Sequence, residues 1–137
     1  MKWNSSFTIG VEAIDSQHKK IFAHLLAIEN SVANRDPWHI LHFLLSQLSE
    51  YMKFHLAVEE SLLEIIRYPG YAEHCQAHAA IVDLMAELED KLQRNPSGEN
   101  LVGFFEDWFL RHVLSSDRDY AAYLEDQFPA LAGKRAE

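Results

Sequence analysis

Apolar residues recur along this chain at intervals of three and four, the period of α-helices that turn one face to a core. A first run, about 12–34, places Ile14, His18, Ile21, Leu25, Ile28 and Val32 on one face. A second, about 37–67, carries Leu41, Leu44, Leu48, Met52, Leu62 and Ile66. A third, about 71–94, carries Tyr71, His74, His78, Ile81, Met85, Leu88 and Leu92. The fourth, about 99–127, aligns Leu101, Phe105, Trp108 and His112, then continues less regularly through Asp117. Asn34-Arg35-Asp36-Pro37, Tyr68-Pro69-Gly70 and Asn95-Pro96-Ser97-Gly98 separate the runs, with Asp36 the expected N-cap and Pro37 the first residue of the second helix. Residues 1–11, with Trp3, Phe7, Ile9 and Val11, have no partner strand and read as an extended arm packed on the core. A tail after Phe128-Pro129 ends in Lys134-Arg135-Ala136-Glu137. Four long segments joined by short loops predict an all-α, up-down-up-down antiparallel four-helix bundle, one domain over 1–137.

The apolar stripes are interrupted by groups that resist burial. His18, His55 with Glu59, His74 with His78, and His112 all fall on core-facing positions. Each such polar group left without a partner costs roughly 1–3 kcal/mol, and a charge costs more. Their places along the helices are informative. His18 and the His74/His78 pair lie near helix starts, whereas His55/Glu59 and His112 lie well along theirs. In an antiparallel bundle the start of one helix adjoins the end of the next, so all of them converge on one end of the core. Residues i and i+4 are neighbours on a helix, so His74 and His78 can grip one ion and Glu59 can reach across from beside His55. His112 and Asp117 are five apart, about 140° round an ideal helix. A single π-turn or local unwinding near Val113–Ser116 would bring them to one side, and such turns favour functional sites.

Five imidazoles and two carboxylates exceed what one ion accommodates, so two ions bridged by Glu59 and Asp117 are the natural reading. Mixed nitrogen and oxygen donors suit iron, manganese or zinc. Two six-coordinate ions sharing these donors and one bridging oxygen keep a single open position, room for one small ligand.

Bulk properties narrow the surroundings. A chain of 137 residues, 48% of them hydrophobic with only five Gly and four Pro, can bury a real core. A net charge of -9 opposes a sequence-independent grip on nucleic acid or anionic lipid. One cysteine, Cys75, excludes an intramolecular disulfide and fits a reducing compartment. The first ten residues carry no long apolar stretch, and no run reaches the ~18 apolar residues of a spanning helix. The expectation is a soluble, cytoplasmic monomer without membrane insertion or a nucleic-acid partner.

The set His18, His55-x-x-x-Glu59, His74-x-x-x-His78 and His112-x-x-x-x-Asp117, headed by Ile14-Asp-Ser-Gln-His18, resembles the hemerythrin family, specifically its single-domain bacterial members. The resemblance covers about residues 3–127 and matches all seven ligand positions. It implies a cofactor of two iron ions, an oxo- or hydroxo-bridged non-haem di-iron centre that binds O2 reversibly. In the family's arrangement His74, His78 and His112 would hold one iron, and His18 and His55 the other. Glu59 and Asp117 would bridge both, with O2 on the two-histidine iron. The chain departs from many relatives in Leu63, where they carry Met, and in Ile81, where they carry an aromatic residue. Both changes bear on the shape of the O2 pocket. Phe22, Leu25, Leu62, Trp108 and Phe109 are its candidate walls, each equally readable as ordinary core.

A carboxylate-rich di-iron oxidase or peroxidase would use Glu-x-x-His pairs, and the chain has none. Its neutral, nearly saturated ligand set therefore favours binding over turnover, and the protein is expected not to be an enzyme. Oxygen or redox sensing would require a separate partner, since no output domain is left over. An oxygen-consuming enzyme is the natural recipient of delivered O2. Gln17 and Tyr120 are expected to support ligands from outside, because ligating imidazoles donate their second N–H to an acceptor. Glu60 reads as solvated or as a ligand-orienting group, Cys75 as facing away from the ligands, and His24, His39 and His42 as surface or structural residues.

Overall fold

The computed structural model describes residues 3–95 and 100–131. The expected start of the fourth helix at Glu99, the Pro96-Ser97-Gly98 stretch and the Lys134–Glu137 tail fall outside them. Helices α1 (Glu12–Ala33), α2 (Trp38–Ile65) and α3 (Tyr71–Arg94) are followed by α4 (Leu101–His112), a π-helical turn (Val113–Asp117) and α5 (Arg118–Gln127). The last three elements run on as one fourth segment. Each segment packs on the next and α4 closes back on α1, giving an all-helical four-helix bundle with no strand among the described residues.

The inward faces follow the predicted period, with one adjustment of phase. On α2 the centre of the stripe is Leu41, Leu45, Leu48, Met52, His55, Leu56, Glu59 and Leu63, all buried. Leu44 and Leu62 lie on its flanks. The core divides into two apolar clusters. The larger contains Ile21, Phe22, Leu25, Met52, Ile81, Phe105 and Phe109; the smaller contains Val11, Ile14, Leu63, Ile66, Tyr120 and Leu124. Between them in every segment lies the histidine and carboxylate layer.

Loop chemistry differs from expectation at α2. Asp36 does not cap it; its carboxylate accepts from Ser31 Oγ at 2.9 Å, and Pro37 stands at the N-cap position. The chain turns there because α1 closes with Arg35 N–H on Val32 O and Asp36 N–H on Ser31 O, the paired bonds of a Schellman motif. Arg67 and Tyr68 close α2 the same way on Glu64 O and Leu63 O. Both turns force an arginine into left-handed backbone, φ 56° at Arg35 and 54° at Arg67, where glycine is the usual solution. At α4 the Asn100 side chain caps Gly103 N–H at 3.0 Å, and a Cβ on Gly103 would stand 2.4 Å from that amide.

The arm is not fully extended. Ser5–Phe7 form a short 3-10 turn capped by Asn4. The Asp15 carboxylate then clasps the chain, accepting from Ile9 N–H at 2.8 Å and Gly10 N–H at 3.1 Å. Arg118 donates to Ser6 O, tying the arm to α5.

Candidate metal centre

Four segments deliver seven buried donors to one layer: His18 from α1, His55 and Glu59 from α2, His74 and His78 from α3, His112 and Asp117 from either end of the π-turn. All seven sequence-predicted ligand positions meet. The π-turn spans Val113–Asp117, so the extra residue per turn swings Asp117 onto the face of His112, where their Nε2 and Oδ1 atoms are 3.1 Å apart.

The two carboxylates divide their oxygens between two histidine groups. Glu59 Oε1 lies 2.8 Å from His74 Nε2 and 2.7 Å from His78 Nε2, while its Oε2 lies 3.6 Å from His55 Nε2. Asp117 Oδ1 lies 3.1 Å from both His74 and His112 Nε2, while its Oδ2 lies 3.2 Å from His18 Nε2. Donor atoms thus gather in two sets, Glu59, His74, His78, His112, Asp117 and His18, His55, Glu59, Asp117, each within 4.8 Å. Glu59 and Asp117 belong to both. Several of these close approaches are not hydrogen bonds. His18 Nε2, His112 Nε2 and both Asp117 oxygens are buried without an aligned partner among the described residues. Such orphans are rare in a native core. Orphaned donors of this kind beside two shared carboxylates are what a pair of cations would satisfy, and imidazole-carboxylate donors suit iron, manganese or zinc.

Electrostatics within the layer are strongly coupled. Burial and the charge of Asp117 push the Glu59 carboxyl up, but hydrogen bonds from His74 and His78 outweigh them and hold it at about 2. Burial likewise opposes ionisation of Asp117, yet the imidazoles of His112, His18 and His74 crowded against it keep it well below the usual carboxylate range. His55 is driven down to about 4 by burial, only partly offset by Glu59. His74 is also pushed down by burial, but the neighbouring carboxylates of Asp117 and Glu59 raise it to about 9.

Outer contacts fix the side chains of the layer. His55 Nδ1 donates to Gln17 Oε1 and His78 Nδ1 to Glu60 Oε2, both at 2.8 Å, and Tyr120 O–H donates to Glu59 Oε2 at 2.8 Å. Gln17 and Tyr120 thus each hydrogen-bond a residue of the layer, and Glu60 meets a histidine ring while remaining partly exposed. Cys75 is half-buried and borders Tyr71 and Glu60 instead of the ligand layer. His39 and His42 are exposed, and His24 stacks near Tyr51.

Of the candidate pocket walls, Phe109 meets the His18 ring edge-on at 5.8 Å, and Phe22 packs on Phe109 at 6.1 Å. Leu25 is buried about one turn beyond Phe22 on α1, and Trp108 is half-buried at the edge of the same cluster. Leu62 is displaced from this role: it lies on the flank of α2 against the smaller cluster, and Leu63 takes the inward position four residues after Glu59. The sequence reading missed Trp3, whose ring covers Phe22 and Phe7 at 5.6 Å each and approaches His18 at 6.4 Å. Apolar arm residues were the available signal, but only folding shows which helix they cover. On the other side, His74 borders a shallow cleft of about 340 Å³ shaped by Tyr68, Glu73, Ser116 and Asp119.

Comparison with known proteins agrees with this geometry. The chain is 29% identical to a hemerythrin-like protein of Naegleria gruberi over 122 residues, covering 89% of this chain and 92% of that one. It is 23% identical over 136 residues to a bacteriohemerythrin of Pseudomonas aeruginosa strain UCBPP-PA14, covering 98% and 88%, and 26% identical over 127 residues to one of Clostridium acetobutylicum, covering 86% and 96%. The family profile described as the Hemerythrin HHE cation binding domain matches residues 9–124. With that match over most of its length and a buried cation-binding layer in place, the chain belongs to the hemerythrin family.

Proposed function

We propose that this protein binds O2 reversibly at a pair of iron ions, storing oxygen in the cytoplasm or delivering it to an oxygen-consuming enzyme, without catalysing turnover. One observation carries the reading: Glu59 and Asp117 each turn one oxygen to the His74, His78, His112 group and the other to the His18, His55 group. His74, His78 and His112 would hold one iron, His18 and His55 the second, and the two carboxylates would bridge them. When bound, the ferrous pair supplies the electrons that O2 takes up on capture and returns on release.

The protein's own groups make that exchange reversible. Two buried carboxylates would balance half of the charge of two divalent ions, which lowers the cost of holding the pair inside an apolar bundle. Tyr120 pins the Glu59 carboxylate, and Gln17 and Glu60 fix the rings of His55 and His78. Phe22, Phe109 and Trp3 surround the His18 side with hydrocarbon and keep water from the two-histidine iron. Binding rather than turnover is supported by a donor set that is rich in neutral imidazoles and nearly saturated, which leaves little room for a substrate.

The test is anaerobic reduction of iron-loaded protein followed by cycles of O2 addition and removal under an absorption spectrometer. A charge-transfer band that appears with O2 and disappears on its removal is expected. Stoichiometric hydrogen peroxide release, or sustained turnover with added reductant, would replace the carrier reading with an oxidase.

A further inference from the structure

We propose that Glu60 is a positioning residue that makes the two metal positions unequal, so that the ion on the His74, His78, His112 side is the more firmly held and the more easily oxidised. The inference rests on reading the layer as a di-iron centre. Consecutive carboxylates of α2 grip both nitrogens of one imidazole: Glu59 Oε1 lies 2.7 Å from His78 Nε2, and Glu60 Oε2 lies 2.8 Å from His78 Nδ1. The opposite side has no such support among the described residues. His55 Nδ1 donates to the neutral amide oxygen of Gln17 at 2.8 Å, and His18 Nδ1 is buried without a protein acceptor. The outer acceptors therefore grade from carboxylate through amide to none.

The grading has an electronic consequence. A carboxylate accepting the Nδ1 proton draws the N–H bond toward itself and leaves more electron density on Nε2, the metal-facing atom. An amide acceptor does this more weakly. His78 is thus the stronger donor, and a stronger donor favours the ferric state of its own ion over that of its neighbour. On the di-iron reading, O2 would bind beside His18 and His55, and the ion held by the better-supported histidines would be the readier source of the second electron. Glu60 supplies that support.

The test compares wild-type protein with Glu60→Gln, which keeps an acceptor but removes its charge, and with Gln17→Glu, which adds a charge behind His55. Redox-inert Zn²⁺ is loaded first, and a competing chelator reads the two affinities. Two ions per wild-type chain are expected, with one ion bound 10–100-fold more weakly in Glu60→Gln (a range of about that size for lost outer-shell partners) and the other unchanged. In iron-loaded protein under argon, Glu60→Gln should raise the first oxidation potential by about 59 mV, a tenfold shift for one electron. Gln17→Glu should tighten the weaker ion and narrow the gap between the two steps. Wild-type affinities and potentials in Glu60→Gln overturn the proposal while leaving the di-iron reading intact. Fewer than two ions in wild-type protein overturns both. Should Glu60→Gln fail to fold, Gln17→Glu decides alone: an unchanged gap refutes the asymmetry.

Discussion

Tyr120 shows how much of the site depends on single atoms. Its ring is fully buried and its hydroxyl donates to Glu59 Oε2. Burial first, then the charges of Glu59 and Asp117, hold the phenol well above its ordinary range, so it stays a donor throughout the working pH range. Replacing Tyr120 with Phe leaves a carboxylate oxygen short of a partner. The expected loss is about 1–3 kcal/mol, read from urea unfolding of chelator-treated protein. The histidines set a pH optimum for that same metal-free state. His74, at about 9 when folded against 6.5, stabilises fully below pH 6.5 and loses its contribution as pH rises toward 9. His55, at about 4, acts oppositely, and its contribution is lost as pH falls from 6.5 toward 4. Together they predict maximal stability near pH 6.5, with up to about 1.4 kcal/mol lost per unit on either side. Unfolding midpoints at pH 5, 6.5 and 9 check this. A metal must also displace the His74 proton, so loading should release acid and tighten from pH 6.5 to 9.

Among the elements, the π-turn at Val113–Asp117 is what carries Asp117 into the histidine layer. Inserting an alanine after Ser115 sets Asp117 six residues from His112, about 240° round an ideal helix, and rotates it off that face. Metal analysis should then find fewer than two ions per chain, while circular dichroism keeps its helical signal. Two ions retained would show that the turn is dispensable. The helix ends make a prediction in the other direction. Arg35 sits in left-handed backbone at an exposed Schellman position, where a Cβ costs about 1 kcal/mol. Arg35→Gly should therefore stabilise the protein by roughly that amount, visible as a higher melting temperature with metal binding unchanged.

For the whole molecule, the ligand layer separates two apolar clusters and is itself a core layer. In the metal-free state its acids and bases pair with one another, as the Glu59 contacts with His74 and His78 show. The bundle is therefore expected to stay helical when stripped of metal but to lose the linkage energy of binding, about 4 kcal/mol at a metal concentration a thousand times Kd. A thermal scan with and without chelator should show a lower, still cooperative transition. Complete loss of helicity would mean that the metal is a folding requirement. No helix among the described residues is long and apolar enough to cross a membrane.

Much of this was legible in the chain. Helical period places side chains by angle alone, so the four segments, the inward His18, His55, His74, His78 and His112, and even the need for a π-turn before Asp117 follow from spacing. Alternation of the ligands between helix starts and later turns fixed their common level. Contacts across helices were not legible, because they depend on the rotation of each helix by a few tens of degrees and on side-chain reach. That rotation brought Leu63 inward in place of Leu62, closed Glu60 on His78, and folded Trp3 over Phe22. Sequence determined which residues face the core; only packing decided which oxygen meets which nitrogen.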